Sequence, residues 1–209
     1  MIKAWNTNMH RVFKSAWVCC IDESMSSWLN KFTCPGWMFV PRKPRPFGNE
    51  YHTICCGLTG ILFAMELVEG KDRPTQLPSP PPHMKTTSLL LELCKSLYGS
   101  GKVIVLDSGF RVLKALIALK KVGVFAHAVI NKRRYWPKFV PGEAINDHMK
   151  EKNVGDVDCL QGTIENEHYN FFVMKEPKYN MRLMATYGSL TYHPDEDNIE
   201  IHQAFRQSF

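Results

Sequence analysis

The feature that most constrains the fold is a strand–helix–strand pattern between residues 103 and 130. Residues 103–106 form a wholly apolar run, and residues 124–130 form a second apolar run that contains one polar residue, His127. Between them, apolar residues recur at helical spacing over 110–122, and Gly123 follows as a helix-ending glycine. Such a unit normally makes a right-handed crossover between parallel strands. The segment therefore predicts a sheet with parallel strands and a helix packed on it.

The residues before this unit predict an antiparallel meander. Residues 17–21 are an apolar strand, and 52–56 and 61–68 are two more strands joined by a Gly-rich turn. A proline-rich loop at 74–82 then leads into an amphipathic helix at 86–97. The predicted order, βββαβαβ, indicates an α/β fold: a mixed sheet flanked by helices.

The remainder of the chain predicts a β-rich C-terminal appendage. Residues 170–174 and 181–186 have the composition of strands and enclose a turn at 176–178. We therefore expect a core over residues 1–138 and a β-rich, insertion-like segment over 139–209.

Charge is distributed unevenly along the chain, although the net charge is only +6. Residues 1–138 hold 20 Lys and Arg against 8 Asp and Glu, whereas residues 139–209 hold 6 against 12. A basic body favours a polyanionic partner such as nucleic acid, with a merely solvated surface as the alternative. No apolar run of about 18 residues occurs and the first residues are polar, so we expect neither a membrane span nor secretion. Seven cysteines without a Cys-x-x-Cys pair support neither a disulfide framework nor a zinc finger.

Two acids stand directly after strongly apolar strands. Asp22 follows residues 17–21, and Asp107 follows residues 103–106. If these strands are neighbours, both carboxylates emerge at one edge of the sheet. Oxygen ligands of this kind suit Mg²⁺, and two such ions promote displacement at phosphorus. The alternative is that the acids only end strands before loops.

Strand-end acids on a βββαβαβ sheet are the ribonuclease H-like arrangement, and several motifs add to it. Residues 18–25, with Asp22-Glu23-Ser24-Met25, resemble the Asp-Glu-x-Met signature of piggyBac-type transposases. Residues 40–48 resemble the Pro-Lys-Lys-Pro-x-x-x-Gly block that follows it there, and residues 105–110 resemble the second-acid block. Further segments resemble later parts of that family in the same order: 60, 69–71, 116–136, 174–177 and 183–186.

The resemblance implies a DDE-type catalytic domain, in which three carboxylates hold two Mg²⁺ ions, or Mn²⁺, to cut and join DNA. Asp22 matches the first acid and Asp107 the second, while Ser108 stands where the family more often has Asn. The family's third acid lies in a Gly-Gly-Val-Asp type block, which this sequence lacks. Residues 195–197 are acidic without that pattern, and Glu176 falls in a turn. We also expect the 209 residues to lack the family's N-terminal DNA-binding helices and C-terminal Cys/His-rich module.

Two basic clusters are candidate DNA contacts. Arg42, Lys43 and Arg45 lie in a proline-rich arm, where Trp37 or Phe47 could stack on an unpaired base. The second cluster follows the 124–130 strand and comprises Lys132, Arg133 and Arg134. The alternatives are a loop tucked onto the sheet and a solvated charge run.

The sequence thus predicts a DNA transposase catalytic-core fragment that performs Mg²⁺-dependent strand cleavage and transfer, without an identifiable third acid. Its expected partner is DNA at transposon ends, with a possible homodimer, a nuclear location, no membrane and no organic cofactor. Two alternatives remain: a domesticated DNA-binding module without activity, and another two-metal nuclease of the same fold. A small-molecule α/β enzyme is disfavoured because no Gly-rich phosphate loop or nucleophile elbow is present.

Overall fold

The computed structural model describes residues 1–68, 85–110, 113–130, 132–137 and 140–188, except the side chains of Lys85 and Arg134. This part of the chain forms nine strands and four α-helices. The strands are β1 (Val18–Ser27), β2 (Met38–Phe39), β3 (Phe47–Cys56), β4 (Leu62–Leu67), β5 (Val103–Leu106), β6 (Phe125–Val129), β7 (Val157–Ile164), β8 (Glu167–Lys175) and β9 (Asn180–Ala185). The helices are α1 (Ile2–Val12), α2 (Lys85–Leu93), α3 (Leu113–Lys121) and α4 (Gly142–Lys150).

All nine strands belong to one mixed sheet. Its order is β2-β3-β1-β5-β6-β9-β8-β7, and β4 pairs with β3. Strand β1 is antiparallel to β3 but parallel to β5, and β5 is parallel to β6. The antiparallel meander followed by parallel crossovers is therefore confirmed, as is the ribonuclease H-like mixed sheet that the sequence predicts.

The β-rich C-terminal segment continues this sheet. Strand β9 pairs antiparallel with β6, and β8 and β7 follow it outward. The two predicted strands and their turn are present, because β8 and β9 enclose residues 176–179. The division of the chain at residue 138 remains a prediction. The proline-rich loop predicted at 74–82 lies outside the described residues.

Helices cover one face of the sheet more completely than the other. The helix-covered face buries Ile21, Ile104 and Leu106 against residues of α2 and α3 such as Leu90 and Leu116. On the opposite face, the side chains that alternate with these strand residues are only half-buried: Cys20, Cys55, Val105, Phe125, His127 and Phe172. We call this second surface the open face. Any site that needs access to solvent has room there.

Helix α1 was not expected from the polar start of the chain. It has no buried residue, and it packs against β4. Its anchor is Asn6, whose amide group donates to the backbone oxygen of Met65 at 2.9 Å and accepts from the Met65 N–H at 3.0 Å. The side chain thus imitates a strand partner for β4, which local periodicity does not reveal.

The cysteines and the helix lengths bear on the expectations about disulfides and membrane spans. All seven cysteines are free thiols. Within the residues described above, every helix is too short or too polar to cross a bilayer.

Candidate active site

Asp22 and Asp107 each follow directly on the last pair of the parallel β1–β5 ladder. The β1–β5 ladder pairs Cys20 with Val105 and Ile21 with Leu106, so the next residue on each strand is the acid. Residues at equivalent positions of adjacent strands project from the same face, and their backbones lie about 4.8 Å apart. Both residues are exposed. The two acids predicted from the sequence are therefore in register, and the alternation of side chains directs both toward the open face.

The sequence placed Asp22 after the end of a strand, whereas it lies inside β1. The reason is that the two neighbours of β1 differ in length. The ladder with β5 stops at Ile21, but the antiparallel ladder with β3 continues to Ser27. Asp22 thus keeps a rigid extended backbone while its β5 side becomes free for a ligand.

Hydrogen bonds fix Asp22 without occupying its whole carboxylate. Its Oδ1 accepts from the backbone N–H of Glu23 at 2.7 Å, which leaves Oδ2 available. Its backbone oxygen accepts from the buried Thr53 hydroxyl at 3.2 Å. A fixed carboxylate loses less conformational entropy when it binds a cation.

The described residues supply two acids to this edge. In the ranges that the structure describes, no group of three His, Cys, Asp or Glu side chains is placed to hold a metal ion. Glu176 is excluded as the third acid, because β6 and β9 separate β8 from β5. Three strand spacings of about 4.8 Å put it at least ~14 Å from Asp107. Residues 195–197 lie outside the described part of the chain.

The pair nevertheless fits a hard divalent cation. Both groups are carboxylates, they share a face, and solvent reaches them, so water or phosphate oxygens can complete an octahedral shell. Two anionic groups one strand apart also repel each other, and a cation between them would relieve that repulsion. Asp22 and Asp107 are the residues that would hold Mg²⁺ or Mn²⁺.

His127 is a neighbour of the acid pair that the sequence did not reveal. It lies on β6 opposite Val105, on the open face, one strand from Asp107. Its Nδ1 is 3.0 Å from the Tyr187 hydroxyl. Burial lowers the pKa of His127 to about 4 and raises the pKa of Tyr187 to about 12. His127 is therefore neutral at physiological pH, and a histidine within an apolar strand was the only sequence signal for it.

This neutral histidine predicts a measurable acid sensitivity. Between pH 6.5 and 5 the unfolded chain protonates position 127 while the folded chain does not, so stability falls by about 1.5 kcal/mol as pH drops over this window. Glutamine does not titrate, so His127→Gln should lack this part of the decrease in the free energy of unfolding. Urea denaturation at pH 6.5 and at pH 5 measures it. The exposed His168→Gln is the matched control, and an unchanged slope in His127→Gln would contradict the assignment.

The predicted DNA contacts Arg42 and Lys43 are held by acids on the helix-covered face. Arg42 pairs with Glu23 and with Glu50, the latter at 3.3 Å, and Lys43 Nζ donates to the backbone oxygen of Glu23 at 2.7 Å. Burial raises the pKa of Glu50, and the hydrogen bond to Glu23 raises the pKa of Arg42. These contacts fold the basic part of the arm onto the sheet, and 58% of the Arg42 side chain stays exposed.

The Arg42 pairs predict a pH-dependent stability. Arg42→Met should lower the free energy of unfolding by about 1 kcal/mol at pH 7. The expected loss is small because Arg42 is largely exposed and solvent screens its ion pairs. Without the guanidinium, the already raised pKa of Glu50 rises further, and stability is lost as pH increases through that value. The loss should therefore be smaller at pH 4 than at pH 7, because the raised pKa of Glu50 makes this carboxylate take up a proton earlier than an ordinary Glu as pH falls. Arg45→Met is the control, and an equal loss at both pH values would refute the pairing.

The other predicted DNA contacts differ in availability. Arg45 and Lys132 are exposed. Arg133 donates to the Val140 backbone oxygen at 2.8 Å and lies 4.9 Å from the Trp136 ring centre, so it also closes the turn before α4. The Arg134 side chain is outside the described residues.

The sequence matches a transposase family, and the fold is similar to that of a known transposase. The family model for Transposase IS4 matches residues 1–208. The structure is similar to a piggyBac transposase synaptic complex with hairpin DNA, with a TM-score of 0.68 and 16% identity, over 99% of this chain and 41% of that one. The chain thus spans about two fifths of that transposase. A Ciona intestinalis endonuclease V bound to a 24-mer DNA covers 95% of this chain and 87% of its own at 14% identity, with a TM-score of 0.36. No curated protein matches.

Proposed function

Because the chain belongs to the Transposase IS4 family, we propose that it is the catalytic core of a piggyBac-type DNA transposase, which cleaves and transfers DNA strands. The observation that carries the proposal is that Asp22 and Asp107 both follow directly on the last pair of the β1–β5 ladder. Bound Mg²⁺ or Mn²⁺ would supply Lewis acidity at the scissile phosphate. Asp22 and Asp107 would hold the ions and position them over the open face.

Completion of the site requires a carboxylate from outside the described residues. It has to approach from the open face, because Asp22 and Asp107 both project there. The half-buried side chains of this face, such as Val105 and Phe125, are suited to pack against an element that carries such a residue. The proposal therefore concerns an active site to which the described residues contribute two acids.

DNA is the proposed partner, and the cations divide into two groups. Arg45 and Lys132 are exposed and free to contact phosphates. Arg42, Lys43 and Arg133 already bind protein oxygens. We propose that these three side chains mainly hold the basic surface in its conformation, and that their N–H groups not bound to protein oxygens contact DNA. Each phosphate contact should add to the salt dependence of binding.

The test combines metal binding with cleavage. We expect the full 209-residue chain to bind Mn²⁺, measured by electron paramagnetic resonance, and to nick supercoiled plasmid in Mg²⁺ or Mn²⁺. Asp22→Asn with Asp107→Asn should abolish both signals, whereas Asp147→Asn, an exposed acid on α4, should leave both unchanged. Cleavage that survives the double substitution would overturn the proposal.

The same assay separates the alternatives. Tight DNA binding without nicking by the parent chain would support a DNA-binding module that has lost catalysis. Preferential cleavage of RNA–DNA hybrids would support a different two-metal nuclease. We further propose a nuclear location and a homodimer, which imaging of the tagged chain and sedimentation equilibrium test directly.

A further inference from the structure

Three aromatic rings form a stack on the exposed arm that connects β1 to β3. We call residues 28–47 the aromatic arm. The Phe39 and Phe47 ring centres are 5.0 Å apart at 23°, and those of Trp37 and Phe47 are 5.9 Å apart at 19°. Phe47 is thus the middle ring, with Phe39 and Trp37 at the two ends. Near-parallel rings at this spacing are a preorganised stacking surface.

The stack is fixed by hydrogen bonds yet exposed to solvent. Trp37 Nε1 donates to the Trp28 backbone oxygen at 2.8 Å, and Trp28 Nε1 donates to the Thr33 hydroxyl at 2.9 Å. Phe39 pairs with Phe47 across the β2–β3 ladder. Even so, 53% of Phe39 and 39% of Phe47 are exposed. Rigid, exposed aromatic surface of this kind is atypical of a core and typical of a binding site.

The stack lies on the same face as the acid pair. Side chains alternate along β3, so Phe47 shares a face with Tyr51 and Thr53, and Thr53 is paired with Asp22. Six residues separate Phe47 from Thr53, which is about 20 Å along an extended strand. A DNA strand that has its phosphate at the acids can therefore reach the stack within a few nucleotides.

The chemistry around the stack favours a polyanion. Residues 28–49 contain four cations and no Asp or Glu: Lys31, Arg42, Lys43 and Arg45. Arg45 is exposed, and within the described part of the chain no ion pair engages it. Aromatic rings combined with cations are the pattern that binds single-stranded nucleic acid, because every base has a stacking face.

We propose that the aromatic arm binds an unpaired DNA base, which stacks on the open ring of Phe39 while Arg45 contacts the adjoining phosphate. Phe39 is the end of the stack with the larger exposed fraction, whereas Trp37 is held by the hydrogen bond from its indole N–H to the Trp28 backbone oxygen. The choice of DNA as the partner rests on the proposed function. The inference adds a single-strand subsite about 20 Å from the acids.

The experiment measures binding in EDTA, so that neither metal binding nor cleavage affects it. The full chain is titrated into a 20-nucleotide oligo(dT) with one central 2-aminopurine, and into the matched 20-base-pair duplex. Phe39→Ala should weaken single-strand binding about tenfold, leave duplex binding within about twofold, and reduce the change in 2-aminopurine fluorescence. Phe39→Trp should retain the wild-type values. Phe32→Ala is the matched control, because Phe32 is 86% exposed on the same arm but outside the stack.

The outcomes are decisive in each direction. Equal single-strand affinity for wild type and Phe39→Ala would overturn the proposal, as would equal losses for single strand and duplex. A change in sedimentation with unchanged DNA affinity would identify the stack as a contact between copies of the chain, and would also overturn it. Selective loss in Phe39→Ala supports the subsite even if the chain fails to cleave DNA, so the two proposals fail separately.

Discussion

Asp22→Asn and Asp107→Asn are each expected to reduce metal-dependent DNA cleavage about a thousandfold or more, which corresponds to about 4 kcal/mol of transition-state stabilisation. Asn keeps the shape of the side chain but removes the negative charge that attracts the cation. Because both acids follow the last β1–β5 pair and are proposed to share one metal site, the double variant should be no worse than either single variant. Initial rates of plasmid nicking, measured over a Mn²⁺ concentration series, test this.

Stability measurements distinguish this effect from misfolding. Both acids are exposed, and neutralising one of two neighbouring like charges removes repulsion. The thermal midpoint of each variant should therefore equal or slightly exceed that of the parent in metal-free buffer. A lowered midpoint, or additive losses of activity in the double variant, would show that the two acids do not share one metal site.

Gly48→Ala is expected to cost about 3–5 kcal/mol of folding stability, the sum of backbone strain and a backbone clash. Gly48 has φ +141°, a conformation that residues with a Cβ rarely adopt. An added Cβ would overlap the Ser26 backbone oxygen and would lie 2.8 Å from the Trp28 nitrogen. Since these are backbone atoms at the end of β1 and in the residue that follows it, they cannot move aside without displacing the strand. Urea denaturation followed by circular dichroism measures the loss.

Gly60→Ala provides a control that separates strain from clash. Gly60 also has a positive φ, +68°, but nothing lies within 4 Å of its virtual Cβ. It should therefore lose only about 1 kcal/mol, the cost of left-handed backbone. Equal losses at both positions would show that the close approach of β3 to β1 at Gly48 contributes nothing.

The elements that were not predicted from the sequence are helices α1 and α4 and strand β7, which depend on contacts with other segments of the chain. Helix α4 buries one residue, Met149, and α1 buries none, and the sequences of both helices are polar on average. Strand β7 has an irregular burial pattern and is a strand because β8 pairs along its whole length. One local signal existed: Glu165 and Asn166 have φ of 51° and 64°, a hairpin turn in which Asn is favoured.

Some features of the candidate site likewise depend only on neighbouring residues in the chain, whereas others depend on contacts between distant segments. Periodicity and composition alone determined the order of the first strands and helices, the apolar runs before Asp22 and Asp107, and the basic character of residues 1–138. These follow from side-chain alternation and hydrophobic burial, which depend only on neighbours in the chain.

Only the tertiary structure decided which side chains meet. The β1–β5 register places Asp22 beside Asp107, and the opposite face of β1 receives Glu23, to which Arg42 binds. The β2–β3 pairing brings Phe39 onto Phe47. Register sets these contacts, and a shift of one residue would turn every side chain of a strand to the other face. Because register is fixed by pairing between distant segments, it is not readable from the residues of any one segment.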